Sequence, residues 1–337
     1  MPWYRHFLWP FAILYGLGVW FRNKLFDFGM LSSKQFELPI ICIGNLETGG
    51  TGKSPLVHYV VKTLINAGLK VAVLSRGYGR SSTGFKLVEV NLLSNEVGDE
   101  PLQTKLRFPD ATVVVSENRV NAVKQLLNLE VKIDIVVMDD GFQHRWVKPS
   151  LSILTTPSNF PFWQNAMLPV GTLREVKNES KRAKALVLTG GEKTSEPQFY
   201  GQVFNSKVVS GKPVQISGVF FDIELKNNVV LLSGIANSHR FKSTASQSFD
   251  VLHHSQFRDH HQYTTKDIQN LREIYNSFGT AAQAVLTTEK DAARLINSPL
   301  LRELKHIPVF YLPIDVEFIG SDQQEFDKMI LAYGKHA

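Results

Sequence analysis

Apolar residues in this chain gather in short blocks of strand length, separated by stretches with helical spacing. Ile40-Ile41-Cys42-Ile43, Lys70 to Leu74, Ala111 to Val115, Ile133 to Met138, Leu151 to Leu154 and Ala185 to Leu188 are the blocks of the first two hundred residues. Between the first two, Val57, Val60, Val61 and Leu64 fall on one helical face, and Gly68 ends that helix. Asn118 to Leu129 reads as another helix. Unbroken apolar strands alternating with amphipathic helices predict an α/β fold with a mostly parallel sheet covered on both faces. No segment repeats at a fixed period.

The pattern changes past Gly190. Residues 191–212 are polar and irregular and read as a linker. A second unit follows, with strands near 213–224 and 229–234 joined at Lys226-Asn227-Asn228, which reads as a hairpin turn. Phe249 to Leu252 is a further strand. Ile268, Leu271, Tyr275 and Phe278 share a helix face, and Ala284-Val285-Leu286 is the next strand. The expected organisation is an N-terminal segment over 1–31, a larger α/β domain over 32–205 and a smaller one over 206–337.

The N-terminal segment crowds Trp3, Tyr4, Phe7, Trp9, Phe11, Tyr15, Trp20, Phe21, Phe26 and Phe28 together. Its apolar part, Phe7 to Phe21, is about 15 residues, against the ~20 of a spanning helix. Pro10, Gly16 and Gly18 weaken it further, and no small-residue cleavage site follows. Arg5, His6, Arg22 and Lys24 flank it. That pattern predicts an anchor lying in one leaflet without spanning.

Composition adds bounds. At 337 residues, 43% of them hydrophobic, the chain can bury a large core. The net charge of +6 favours anionic partners, but the charges are interspersed, so nucleic acid is not expected. A single cysteine, Cys42, excludes an internal disulfide framework and points to a reducing compartment. No Cys/His metal cluster is visible.

The chemistry centres on Gly44-Asn45-Leu46-Glu47-Thr48-Gly49-Gly50-Thr51-Gly52-Lys53-Ser54-Pro55. A strand enters this glycine-rich turn and a helix leaves it, with Pro55 suited to the first helical turn. Backbone N–H groups there can close round a phosphate, at the positive end of a helix. Lys53 would reach the β- and γ-phosphates of a nucleotide, and the Ser54 hydroxyl would face Mg²⁺. Glu47 stands where the first glycine of the usual phosphate loop belongs. Ile135 to Met138 runs into Asp139-Asp140, the arrangement of a strand-end acid that manages Mg²⁺. Leu74-Ser75-Arg76-Gly77-Tyr78 is a candidate substrate-facing loop at the sheet's carboxyl edge. Gly98-Asp99-Glu100-Pro101 reads as a polar turn. Thr288 to Asp291 invites comparison with guanine recognition, but Glu289 stands where that motif needs lysine, so GTP is not expected.

Those blocks, in order with Asp139-Asp140-Gly141-Phe142-Gln143-His144, Leu173-Arg174-Glu175, Gly234-Ile235-Ala236-Asn237, Phe257-Arg258-Asp259-His260 and Thr288-Glu289-Lys290-Asp291, resemble the tetraacyldisaccharide 4′-kinase family of lipid A biosynthesis. The resemblance runs over nearly the whole chain, and that family shares the altered phosphate loop. It implies transfer of the ATP γ-phosphate to the 4′-hydroxyl of a tetraacyldisaccharide 1-phosphate at the cytoplasmic face of the inner membrane. A monomer is the expected state, although the sequence itself does not fix the oligomer. The resemblance also implies a large P-loop domain and a smaller α/β domain that close on ATP. By position, Gly49, Gly50, Thr51, Gly52, Lys53, Ser54 and Pro55 bind ATP. Asp99 is the catalytic base, with His260 its partner and His261 the adjacent alternative; Asp139 and Asp140 assist. Ser54, Glu100 and Asp139 are the implied Mg²⁺ residues, and Arg76, Tyr78, Gln143, His144, Thr172 and Arg174 the implied substrate contacts. The loop also resembles those of membrane-associated P-loop ATPases that act as switches or partition scaffolds. A second domain with an Asp-His pair counts against that alternative.

Overall fold

In the computed structural model, residues 7–191, 196–216, 225 and 227–334 are described. They divide into two compact units, each made of separate stretches of chain. The first holds the residues through Arg76, then Ala111–Val208, then those from Val316 on. The second holds Gly77–Asp110 and Val209–Asp315. The expected division at 205/206 therefore differs from the observed one. Residues 77–110 group with the second unit because its α4 (Asp99–Arg107) packs on α8 (Glu289–Leu295). Asn297 also donates to the Val90 and Leu92 carbonyls at 2.6 and 2.8 Å. At the other end, Phe326 and Ile330 of α10 (Asp322–Gly334) are fully buried, and Tyr59 donates to Asp327 at 2.8 Å. That sends the C-terminal helix back to the first unit.

The first unit is built on a parallel sheet. Its strands β1 (Ile40–Gly44), β2 (Val71–Ser75), β4 (Thr112–Val115), β5 (Ile135–Asp139), β6 (Leu151–Pro157), β7 (Ala185–Thr189) and β8 (Gln202–Ser210) lie in the order β8-β7-β6-β1-β5-β2-β4. All six pairings are parallel. β1, β2, β5 and β7 are buried along their whole length, the pattern their unbroken apolar runs require. β5 lies between β1 and β2, in register Ile43 to Asp139. The strand-end acids thus sit beside the glycine-rich turn, at the carboxyl edge where open α/β sheets bind ligands. The predicted linker is overturned in part: its second half is β8, whose alternating Phe204 and Ser206 are buried while Gln202 and Lys207 are exposed. Alternation diluted the apolar signal there.

Helix α1 (Trp9–Asp27) buries only a narrow stripe, Ala12, Gly16, Asn23 and Phe26. Glu175, fully buried, accepts from Arg22 and Asn23 at 3.0 Å and from Arg182 at 2.6 Å. Arg145 adds bonds to the Asn23 carbonyl and to Asp27. Those contacts fasten the polar end. Toward the other end Phe11, Ile13, Leu14, Leu17, Trp20 and Phe21 are exposed. Among the described residues no helix is long and apolar enough to cross a membrane.

The second unit has a five-stranded sheet, ordered β11-β10-β12-β13-β9. Here β9 is Val214–Gln215, β10 Asn228–Ser233, β11 Asp250–Gln256, β12 Ala284–Thr288 and β13 Val309–Leu312. Only β9 runs antiparallel. Its two faces bury separate apolar clusters, one with Ile268 and Leu271 of α7 (Thr265–Ser277), the other with Phe241 and Ala245. The two-residue β3 (Lys86–Leu87) and the one-turn α3 (Ser94–Val97) precede α4. The expected hairpin does not form from Asn228 onward, because β10 pairs in parallel with both neighbours; Lys226 and the 217–224 part of the predicted strand lie outside the described residues.

Candidate active site

The phosphate loop leaves β1 at Gly44, where only glycine fits. A Cβ there would stand 2.6 Å from that of Phe142. The loop is then pinned from beneath. Asn45 Nδ2 donates to Thr51 Oγ1 at 2.8 Å, Thr51 Oγ1 meets Thr155 Oγ1 at 2.8 Å, and Thr189 Oγ1 donates to the Thr51 carbonyl at 3.0 Å. Gly52, with φ 83°, caps helix α2 (Lys53–Asn66), so Lys53 and Ser54 open the helix at its positive end.

Glu47 does not face solvent. It is 3% exposed, and Thr156 Oγ1 and Asn165 Nδ2 donate to it at 2.8 and 2.9 Å. Burial raises its carboxyl, and those two bonds partly offset the rise. Thr48 N donates to the Thr172 carbonyl and Arg174 N to the Leu46 carbonyl, at 2.8 and 2.7 Å. A carboxylate in place of the usual glycine therefore splices the 165–174 segment to the loop. Thr172 belongs to this splice, accepting from Asn165 at 2.5 Å.

That splice brings Arg174 to the strand-end acids. Asp140, at φ 47°, accepts from Lys53 at 2.7 Å and from Arg174 at 2.9 and 3.2 Å. A second Arg174 nitrogen contact reaches Asn45 Oδ1. Burial opposes ionisation of Asp140, but the Lys53 charge and the Arg174 bonds hold its carboxyl well below the usual range. Asp139 is buried at the end of β5. Arg76 is exposed at the end of β2. Gln143 donates to the Asn45 carbonyl at 2.9 Å and to Glu175 at 3.3 Å. His144 is lowered to about 4, by burial first and then by the Arg119, Arg76 and Arg22 charges.

A second constellation lies wholly within the other unit. Gly98-Asp99-Glu100-Pro101 is no free turn: Asp99 and Glu100 open helix α4, where the helix dipole favours acids and Pro101 costs no bond. Asp99 is 5% exposed. Its Oδ2 meets His260 Nδ1 at 3.0 Å and accepts from Arg294 Nε at 3.0 Å and Nη2 at 2.5 Å. Burial pushes the carboxyl up; the His260 bond and the Lys290 and Arg294 charges more than reverse this. His260 sits at φ 57°, a left-handed conformation that costs a non-glycine residue roughly 1–3 kcal/mol and persists where surroundings enforce it. Its N–H donates to the Gly234 carbonyl at 3.2 Å. His261 turns elsewhere, onto Asp267 at 3.0 Å and stacked on Phe257. Of the neighbouring histidines, His260 is the one on Asp99. Tyr78 lies 5.3 Å from the His260 ring.

Sequence reasoning missed the residues that hold this pair. Lys290, Asp291 and Arg294 all come from α8. For Lys290 and Asp291 the signal was the Thr288 to Asp291 block, which above carried the family resemblance and a rejected guanine comparison but no role in the site. Glu100, expected to face a metal, accepts from Lys290 at 3.3 Å. Among the described residues no group of three or more His, Cys, Asp or Glu is placed to hold a metal ion.

A glycine-rich loop between a buried parallel strand and a helix, with an acid at the adjacent strand end, defines a P-loop NTPase-like α/β protein. The family is narrower. The family model for tetraacyldisaccharide-1-P 4'-kinase, LpxK, matches residues 4–335, and the chain belongs to that family. It is 37% identical to the tetraacyldisaccharide 4'-kinase of Bacteroides thetaiotaomicron, over 97% of this chain and 92% of that protein. With the Flavobacterium johnsoniae enzyme of the same name the identity is 36%, over 98% and 97%. LpxK from Aquifex aeolicus, solved in complex with ATP, is similar in structure with a TM-score of 0.77 and 30% identity, over 98% of this chain and 99% of that one.

Proposed function

We propose that this chain is a lipid kinase that moves the γ-phosphate of ATP to the 4′-hydroxyl of a tetraacyldisaccharide 1-phosphate. Membership of the family supports the reaction, and one observation favours it over an ATPase switch: the buried carboxylate of Asp99, held by His260 and Arg294. An ATPase switch has no sugar hydroxyl to deprotonate. In this reading the loop amides from Gly49 to Ser54 hold the nucleotide phosphates, with Pro55 setting the helix start. Lys53 and Arg174, gathered on Asp140, offset the charge of the transferring group, the main protein contribution to phosphoryl transfer. The Ser54 hydroxyl and the Asp139 carboxylate are hard oxygen donors of the kind Mg²⁺ prefers, and they would hold it. When bound, the ion neutralises phosphate charge.

Asp99 takes the proton of the attacking hydroxyl. A carboxylate held below its usual range is a weak base, which suits a loose transition state in which the O–H bond breaks late. The exposed apolar side chains of α1 would rest in one leaflet of the cytoplasmic face of the inner membrane, where the acyl chains of the acceptor are. Full-length protein with γ-labelled ATP should yield labelled lipid on thin-layer separation, only when the acceptor is present. ATP consumption without a lipid product would favour the switch.

A further inference from the structure

The end of α8 that faces Asp99 carries a lysine that the reaction described above does not use. Lys290 Nζ lies 3.1 Å from His260 Nε2, 3.3 Å from Glu100 Oε1 and 3.8 Å from Asp259. Its side chain is 17% exposed. An ammonium has three donors and no acceptor, so the ring nitrogen it meets must offer a lone pair. The ring's one hydrogen then sits on the other nitrogen, the one 3.0 Å from Asp99 Oδ2. We propose that Lys290 is a positioning residue that fixes His260 in the Nδ1–H tautomer, so that His260 donates to Asp99 and orients it.

The rest of the pocket is consistent with this polarity. The described hydrogen bonds of Asp99 all fall on Oδ2: one from His260 and two from Arg294. Arg294 is itself held on its other side, with Nη1 donating to Asp291 at 2.6 Å and to the Gly234 carbonyl at 2.8 Å. Asp291, fully buried, also accepts from Tyr263 at 2.9 Å, Thr288 at 2.6 Å and the Gly234 N–H at 3.1 Å. With Oδ2 taken by donors, Oδ1 is the oxygen for the substrate. The inference rests on Asp99 being the base, and it sets where the proton ends. The acceptor O–H bond breaks and Asp99 Oδ1–H forms. The acceptor oxygen bonds the γ-phosphorus, and the bond from that phosphorus to the leaving ADP oxygen breaks. The proton stays on Asp99, because His260 Nδ1 already carries one.

Nitrogen-15 histidine labelling of the full chain tests the tautomer directly. Two-bond proton–nitrogen correlations distinguish the ring nitrogens, and His260→Gln assigns the resonances. The expected pattern for His260 is a hydrogen on Nδ1 and a lone pair on Nε2, lost in Lys290→Met and kept in Lys290→Arg. Lys290→Met should also lower kcat about tenfold or more, the order seen when proton-transfer geometry is spoiled, while leaving the KM for ATP within about twofold. Lys290→Arg should recover most of that loss. An Nε2–H pattern in the parent protein, or an unchanged pattern in Lys290→Met, overturns the proposal, and the parent spectrum decides even if a variant fails to fold. Failure of the base assignment would look different: Asp99→Asn would retain turnover while the His260 pattern stayed as expected.

Discussion

Replacing Asp99 by asparagine keeps the shape of the side chain and removes the group that takes a proton. The magnitudes follow from its partners. Arg294, whose side chain is 1% exposed, loses an anionic partner but keeps Asp291 at 2.6 Å and the Gly234 carbonyl at 2.8 Å. No buried charge is stranded, so the stability loss should be about 1–3 kcal/mol, the cost of weakening a charge-assisted bond rather than of orphaning an ion. The amide oxygen can still accept from Arg294 and His260, which turns its NH₂ toward the substrate. A donor then stands where an acceptor is needed. Turnover should fall about 10²–10⁴-fold, or roughly 3–5 kcal/mol of barrier. The assay is label transfer from ATP to the lipid acceptor in mixed micelles, with nucleotide affinity measured separately. Affinity should hold, since the loop contacts of Lys53 do not involve Asp99. Adding His260→Ala should cost much less than the product of the single losses, because the two act as a unit. Turnover within a few-fold of the parent, or losses that multiply fully, would refute the base assignment or the pair.

Lys53→Ala should lower kcat/KM by about three orders of magnitude or more through lost charge stabilisation, and near-parental activity in a folded variant would contradict the loop assignment. His260→Ala should damage turnover more than His261→Ala, whose ring sits on Asp267 and Phe257; a reversed order in the same assay would move the pair by one residue. Changing Phe11, Leu14 and Phe21 together to serine should weaken co-sedimentation with anionic vesicles at least about tenfold, since each large side chain contributes roughly 1.5–3 kcal/mol when fully buried; undiminished binding would place the anchor elsewhere. His144 is about 4 in the folded chain against its ordinary 6.5, so the unfolded chain binds more protons between those values. Stability should therefore be full above pH 6.5 and fall as pH drops toward 4, and His144→Gln should flatten that part of a denaturant-midpoint profile.

What could be read from the sequence was local. Strand, glycines, Lys53 and Ser54 are contiguous, so the phosphate loop and its helix are written in one stretch, and the burial of β1, β5 and β7 follows from their unbroken apolar runs. The same reading took Asp99 and Glu100 for a turn, because a helix whose first turn is Asp-Glu-Pro has no apolar period to show it. Arg294 was beyond reach for another reason: its partner lies 195 positions away, and no pattern in α8 names it. Glu47 was noticed as a departure from the usual loop, yet only the fold shows it bonded to Thr156 and Asn165. The division of the chain at 77–110 was hidden because that stretch reads as a continuation of the strands around it.

That division also sets a schedule for synthesis. Residues 77–110 emerge from the ribosome early, but the other part of their unit begins only at Val209. The partner of Asp99 on His260 follows 161 residues after it, and Arg294 later still. At roughly 5–20 residues per second, the early segment waits on the order of ten seconds or more for the α8 surface that covers α4. The sheet strands of the first unit, by contrast, are made largely in succession. The nucleotide-binding unit can therefore begin folding while the unit carrying Asp99 is still half made, and contacts of such long sequence separation are slow to form. Helix α4, which buries Asp99, Leu102, Gln103 and Thr104 in the folded chain, stays without its α8 cover throughout that interval.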